Sequence, residues 1–153
     1  IALSTNHVPH YALPQWYHAY TDALGKPAGD TSQGNPLPDA VESRYSGRSL
    51  QDARDAYAGF ELLYDGREGE DGLGALLTPA RTPLDFPDAF ASARDGARAS
   101  LDAIPETLEA TVQTDTTTVA SAQAALREVQ VLIQVELAQA LGVTLAFNDN
   151  DGD

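Results

Sequence analysis

Hydrophobic residues recur at three- and four-residue spacing in four stretches of the chain, the period of an α-helix with one buried face. These stretches predict helices at about residues 13–24, 50–65, 87–104 and 119–141. Glycines that could end three of them follow directly: Gly25, Gly66 and Gly142. The last stretch has the most regular apolar face, formed by Val119, Ala122, Leu126, Val129, Ile133, Leu137 and Leu141.

Helix breakers fill the connections. Residues 26–48 contain Pro27, Gly29, Gly34, Pro36, Pro38 and Gly47, which we expect to exclude regular helix and to leave a long crossover loop. Residues 73–77 predict one helical turn, 106–113 a short helix and 114–118 a Thr-rich linker. After Gly142, apolar and polar residues alternate, which predicts an extended tail. We therefore predict an all-α fold: one domain, residues 1–153, with about four main helices.

The amino-acid composition disfavours several kinds of binding partner and site. Nine Lys and Arg residues against 23 Asp and Glu residues give a net charge of −14, which disfavours nucleic acid and anionic membrane surfaces. Without cysteine the chain can form neither disulfides nor thiolate zinc sites. It contains no apolar run long enough for a transmembrane helix and no signal-peptide pattern. Since it starts at Ile1 and lacks Met, we expect a processed, cleaved or truncated product.

The end of the crossover loop concentrates polar chemistry just before a predicted helix. Glu42, Ser43, Ser46, Arg48 and Ser49 supply a carboxylate, hydroxyls and a guanidinium there. Free N–H groups and the helix dipole make such a place favourable for anions, so we predict a ligand-binding site. In the alternative interpretation, Ser49 only caps the helix, with Asp52 completing a capping box, Arg44 and Arg48 are solvated, and Glu42 pairs with one of them.

Two terminal motifs could bind metal. His7 and His10, with His18 further on, could ligate an ion, although they also fit a surface pair in a loosely ordered terminus. The tail residues Asn148–Asp153 resemble the start of a calcium loop but lack the Glu and the second helix of an EF-hand. This tail is either a solvated acidic segment or a folded-back source of carboxylates. No nucleophile elbow, phosphate-binding loop or His-Glu-x-x-His motif occurs.

Two longer patterns carry a family resemblance. The segment 24–29 followed by PDAVESRYSGRSL at 38–50, and the ending LGVTLAFNDNDGD at 141–153, resemble the C-terminal half of imelysin-like proteins. Both patterns occur in order and about 90 residues apart, and the resemblance covers roughly residues 20–153. It implies an exported periplasmic or cell-envelope protein, often a lipoprotein, built from two helical bundles and linked to iron or haem acquisition.

The same resemblance raises the question of metallopeptidase activity. The family's proposed metallopeptidase signature, Gly-x-His-x-x-Glu, belongs to the N-terminal half, and none of the three histidines here has that setting. We therefore expect no independent enzyme activity from this chain. Its partner would be the N-terminal half of the same precursor, or a second chain, and its ligand a small polar molecule or a metal. A metallopeptidase whose catalytic residues lie in that other half is the alternative function.

The resemblance also assigns site residues. The family's Glu-Ser-x-x-Ser-x-x-Ser-Leu segment falls on Glu42, Ser43, Ser46, Ser49 and Leu50, with Glu42 and Ser43 facing the cleft between the two halves. The terminal Asp-x-Asp-Gly-Asp falls on residues 149–153. The predicted metal ligands are Glu42, Asp149, Asp151 and Asp153, and iron, zinc and calcium are the candidate ions.

Overall fold

The computed structural model describes residues 23–30 and 32–142, and within this part of the chain every regular element is helical. The predicted all-α fold class is confirmed. The helices are α1 (Lys26–Ala28), α2 (Ser49–Asp65), α3 (Phe86–Asp102), α4 (Leu108–Thr114), α5 (Thr116–Leu132) and α6 (Ala138–Leu141), with a π-helical turn at Ile133–Leu137. Short 3₁₀ turns occupy Pro38–Ala40 and Leu73–Leu76. Most of the predicted first helix and the predicted extended tail lie outside the described residues.

The core lies chiefly between α3 and α5, which pack along most of their lengths. Six members of the apolar face predicted for the last helix, from Val119 to Leu137, are buried, and Leu141 is partly buried. Small side chains such as Ala97 and Ala122 are fully buried at this contact. Because alanine adds little bulk, it lets helices approach closely.

The crossover contains more helix than the sequence predicted. Gly25 does not end the first helix, because residues 23–25 are π-helical, the Gly25 backbone is right-handed (φ −66°, ψ −48°), and α1 follows directly and runs to Ala28. Gly29 ends it instead: with φ 108° it takes the left-handed conformation, and its N–H donates to the carbonyl of Lys26. The Pro38–Ala40 turn then packs against α1 and α4, which anchors the crossover to the bundle.

The predicted Thr-rich linker is also wrong in part, because α5 already begins at Thr116. Asp115 is the N-cap, and its carboxylate accepts from the Thr118 N–H at 3.2 Å and from the Thr118 hydroxyl at 2.5 Å. This bonding lowers the pKa of Asp115. An aspartate N-cap satisfies free N–H groups in the first turn, so a Thr-rich segment that would otherwise favour a loop becomes helical.

Candidate functional site

The predicted site forms one loop, Glu42–Arg48, between the Pro38–Ala40 turn and α2. Arg44 pairs with neighbouring elements: its Nη2 lies 2.7 Å from Asp39 Oδ1, and its Nε lies 3.7 Å from Glu109 Oε1 on α4. These half-exposed pairs place the loop beside α4 but contribute little to holding it there.

Hydrogen bonds around Ser43 hold the loop to the first turn of α2. The Ser43 N–H donates to Ser49 Oγ at 2.9 Å, and the Ser43 hydroxyl donates to Asp52 Oδ2 at 2.6 Å. Ser46 donates its hydroxyl to the Ser43 carbonyl at 3.1 Å. The structure thus brings all three predicted serines together, with their hydroxyls engaged inside the loop.

This network corrects the predicted capping box. Ser49 is buried in the first turn of α2, and Arg48 occupies the N-cap position without a side-chain capping bond. Ser49 and Asp52 bind the preceding loop rather than the N–H groups of their own helix. The capping prediction failed because a loop that folds back onto the helix end competes for the same oxygen atoms.

Charged and aromatic side chains project from this fixed loop. Glu42 and Tyr45 are exposed, Tyr45 completely so. The Arg48 side chain is 60% exposed; its Nε lies 3.6 Å from Asp52 Oδ1 and its Nη2 lies 3.8 Å from Asp55 Oδ2. Such exposed pairs contribute little to stability, so Arg48 can exchange its partners for a ligand.

The described residues do not form a metal site by themselves. Among residues 23–30 and 32–142, no group of three or more His, Asp or Glu side chains is placed to hold an ion. Glu42 is the one predicted metal ligand in this part of the chain. Asp149, Asp151 and Asp153, like His7, His10 and His18, lie outside the described residues.

A groove of about 210 Å³, which no sequence pattern predicted, lies between α2 and α3. Its lining combines charged side chains with apolar surface. From α2 it is lined by Gln51, Arg54, Asp55, Tyr57, Ala58 and Glu61, and from α3 by Arg98, Leu101 and Asp102. Asp55, which faces Arg48, connects this groove to the predicted loop.

Glu61 is the buried charge of the groove, with a side chain only 8% exposed. Its Oε1 lies 2.5 Å from Arg98 Nη2 and 3.9 Å from Arg94 Nη2. Burial raises the pKa of Glu61, because desolvation outweighs the attraction of the two guanidiniums. Burial likewise raises the pKa of Tyr57, whose hydroxyl donates to the Arg94 carbonyl at 2.7 Å. Both groups belong to one polar layer between α2 and α3.

A sequence signal for this layer existed. Glu61 interrupts the apolar stripe of α2 four residues after Tyr57, and Arg94 and Arg98 follow Phe90 at four-residue steps on α3. Charged residues inside an apolar stripe are buried as pairs, because an unpaired buried charge is costly. The two interruptions therefore indicated a polar contact, though not which helices make it.

An all-helical bundle with a polar loop fixed on one helix end is the class of protein that these observations define. The chain belongs to the imelysin family: the family model described as Imelysin, of the M75 peptidases, matches residues 17–133. This confirms the resemblance found in the sequence. No curated protein and no solved structure matches the chain significantly. Across residues 23–30 and 32–142, no helix has both the length and the apolar composition to cross a membrane.

Proposed function

We propose that this chain is the ligand-binding part of an exported, cell-envelope imelysin-like protein that serves iron or haem acquisition. Family membership supports the location, since imelysin proteins are typically exported to the cell envelope, and the iron or haem role comes from the resemblance found in the sequence. The preceding half of the same precursor, or a second chain, would complete the site.

The observation that carries this proposal is the fixed Glu42–Arg48 loop. Its serines bond within the loop and to Asp52, and Glu42 and Arg48 are exposed on a backbone that is already ordered by Ser49 and Asp52. A preordered loop loses less conformational entropy when it binds, so it suits recognition of a small ligand. Glu42 and Arg48 would contact the ligand, and Ser43, Ser46 and Ser49 would position them.

A metal or haem would need further ligands. Because the described residues contain no group of three potential metal ligands, Glu42 could supply only one oxygen to an ion. The other donors would come from the partner half or from Asp149, Asp151 and Asp153. Arg48 would instead suit a carboxylate, such as those of an iron-chelating organic acid or of haem.

The alternative, a metallopeptidase, needs a Gly-x-His-x-x-Glu motif that residues 1–153 lack. It predicts cleavage of an unfolded protein substrate by the reassembled protein, and loss of that cleavage with a chelator. Binding without cleavage would favour the binding protein.

Calorimetric titration of ferrous, ferric, zinc and calcium ions, and of haem, into the protein joined to its preceding half tests the proposal. Glu42→Ala and Arg48→Ala should each weaken, by about tenfold, the binding of whichever ion or haem binds the parent. This is the loss expected for one charged contact. Arg127→Ala, on the exposed face of α5, is the matched control and should bind like the parent. Equal affinity in all three variants would remove the loop from the site.

A further inference from the structure

We propose that the groove between α2 and α3 binds a free α-amino acid or a zwitterion of similar size. The groove is distinct from the Glu42–Arg48 loop, since none of its lining residues belongs to that loop, although its Asp55 pairs with Arg48 at 3.8 Å. It presents guanidiniums and carboxylates side by side, whereas a site for a simple anion or cation would carry an excess of one sign.

Arg98 is the donor that a ligand carboxylate would meet. Its side chain is 56% exposed, and one nitrogen, Nη2, binds Glu61. Its Nε and Nη1 make no hydrogen bond to any other residue in the described ranges. Because guanidinium is a planar fork of donors, Arg98 can keep Glu61 on one edge and bind a second carboxylate on another.

Glu61 makes this donor rigid. Its side chain is more than nine-tenths buried and is part of the groove lining, where Arg98 holds it. A fixed guanidinium loses less side-chain entropy on binding than a free surface arginine does.

Asp55 and Asp102 are the acceptors that a ligand ammonium would meet. Asp55 accepts from the Gln51 amide at 2.8 Å, and Asp102 lies 3.5 Å from Arg54 Nε. Their side chains are 61% and 65% exposed, so both keep oxygen atoms open to the groove. Arg54 is itself held at the end of α3, where it donates to the carbonyls of Leu101 and Ile104.

The volume limits the size of the ligand. At about 210 Å³ the groove holds the equivalent of about seven waters, and it is smaller than the roughly 300–1,000 Å³ pockets that take drug-sized molecules. Tyr57, Ala58 and Leu101 supply an apolar surface for a short side chain. An amino acid matches this volume, whereas a haem or a folded peptide segment would extend well beyond the groove.

The test uses the intact protein, titrated with each of the common L-amino acids and followed by calorimetry and by ¹H–¹⁵N chemical shifts. The best ligand is then compared with two analogues, the same molecule without its amino group and the same molecule without its carboxylate. We expect shifts at residues 51–61 and 98–102, and binding of either analogue about ten- to hundredfold weaker. No binding of any amino acid, or equal binding of the analogues, would overturn the proposal.

Three variants locate the site. Arg98→Gln and Asp102→Asn should each weaken binding about ten- to hundredfold, and Ala58→Leu should block the groove sterically without removing a charge. Ala89→Leu, an exposed change on α3 away from the lining, is the steric control and should bind normally. If Arg98→Gln unfolds the protein, Asp102→Asn and Ala58→Leu still decide the question. Unchanged affinity for the amino acid in both of these variants would refute the groove as the site. It would not affect the separate proposal that the Glu42–Arg48 loop binds a ligand.

Discussion

Arg94 on α3 binds Asp65, the last residue of α2, through both ends of its guanidinium: Nη1 donates to Oδ1 at 3.0 Å and Nη2 donates to Oδ2. The same guanidinium lies over the ring of Tyr64, 4.7 Å from its centroid. The Arg94 side chain is only 12% exposed, so it joins the two helices as a packed group as well as a charge. Arg94 thus links Asp65 and Tyr64 of α2 to α3, beside the Glu61–Arg98 pair.

Arg94→Ala should lower the free energy of unfolding by about 2–3 kcal/mol. The change removes a mostly buried pair, a cation–π contact and the packing of the arginine stem. We place the loss below the upper range for buried pairs because Asp65 is 54% exposed and can be hydrated once its partner is gone. Urea denaturation measures the difference. Arg127→Ala is the control, expected within about 0.5 kcal/mol of the parent; similar values for the two variants would contradict the assignment.

Glu61→Gln should remove a pH dependence of stability. Because the pKa of Glu61 is raised in the folded protein by burial, the folded state binds more protons than the unfolded state between about 4.5 and that raised pKa. The stabilisation that Glu61 gives the folded state is therefore fully present below about pH 4.5 and is lost as the pH rises through the raised pKa. The stability of the parent relative to Glu61→Gln should increase as the pH falls through this interval.

Unfolding curves for both proteins at several pH values test this expectation. Glu128→Gln, at an exposed position on α5, is the control and should track the parent across the same range. If the difference in unfolding free energy between the parent and Glu61→Gln grew as the pH rose, the attraction of the guanidiniums would outweigh desolvation. The pKa of Glu61 would then be lowered rather than raised.

Ser49→Ala should loosen the Glu42–Arg48 loop and destabilise the protein by about 1–2 kcal/mol, since it leaves the Ser43 N–H without its acceptor. Hydrogen exchange at the Ser43 amide should become faster than in the parent, and chemical denaturation should show the loss. Ser92→Ala, on the exposed side of α3, is the matched control. Unchanged exchange at Ser43 would mean that Ser49 does not hold the loop.

Gly66→Ala should destabilise the protein more than Gly69→Ala does. Both glycines have a positive φ, 88° and 81°, so either alanine is strained by about 1–2 kcal/mol. At Gly66 a Cβ would also overlap the carbonyl oxygen of Glu70, whereas at Gly69 nothing lies within 4 Å. We expect a loss of about 3 kcal/mol or more for Gly66→Ala. Equal thermal stabilities would show that the backbone after α2 can move aside.

The location of the candidate loop was predictable, but its internal structure was not. The breakers in residues 26–48 and the polar run before α2 indicated an exposed segment at a helix start. Which oxygen the Ser43 N–H binds depends on how the loop folds back, and several acceptors of equal quality are close in sequence. The groove could not be predicted from the sequence, because its walls come from two helices and local spacing does not show how they pack together.

The sequence by itself determined the helical fold, the buried faces of α2, α3 and α5, and the ends at Gly66 and Gly142. These depend on residues within about one turn of each other, so local spacing is sufficient. Only the tertiary structure decided that Arg94 meets Asp65, 29 residues away, and that Arg54 reaches the carbonyls at the end of α3. Such contacts follow from the angle and register at which two helices pack, and those are set by the fit of side chains from both helices together.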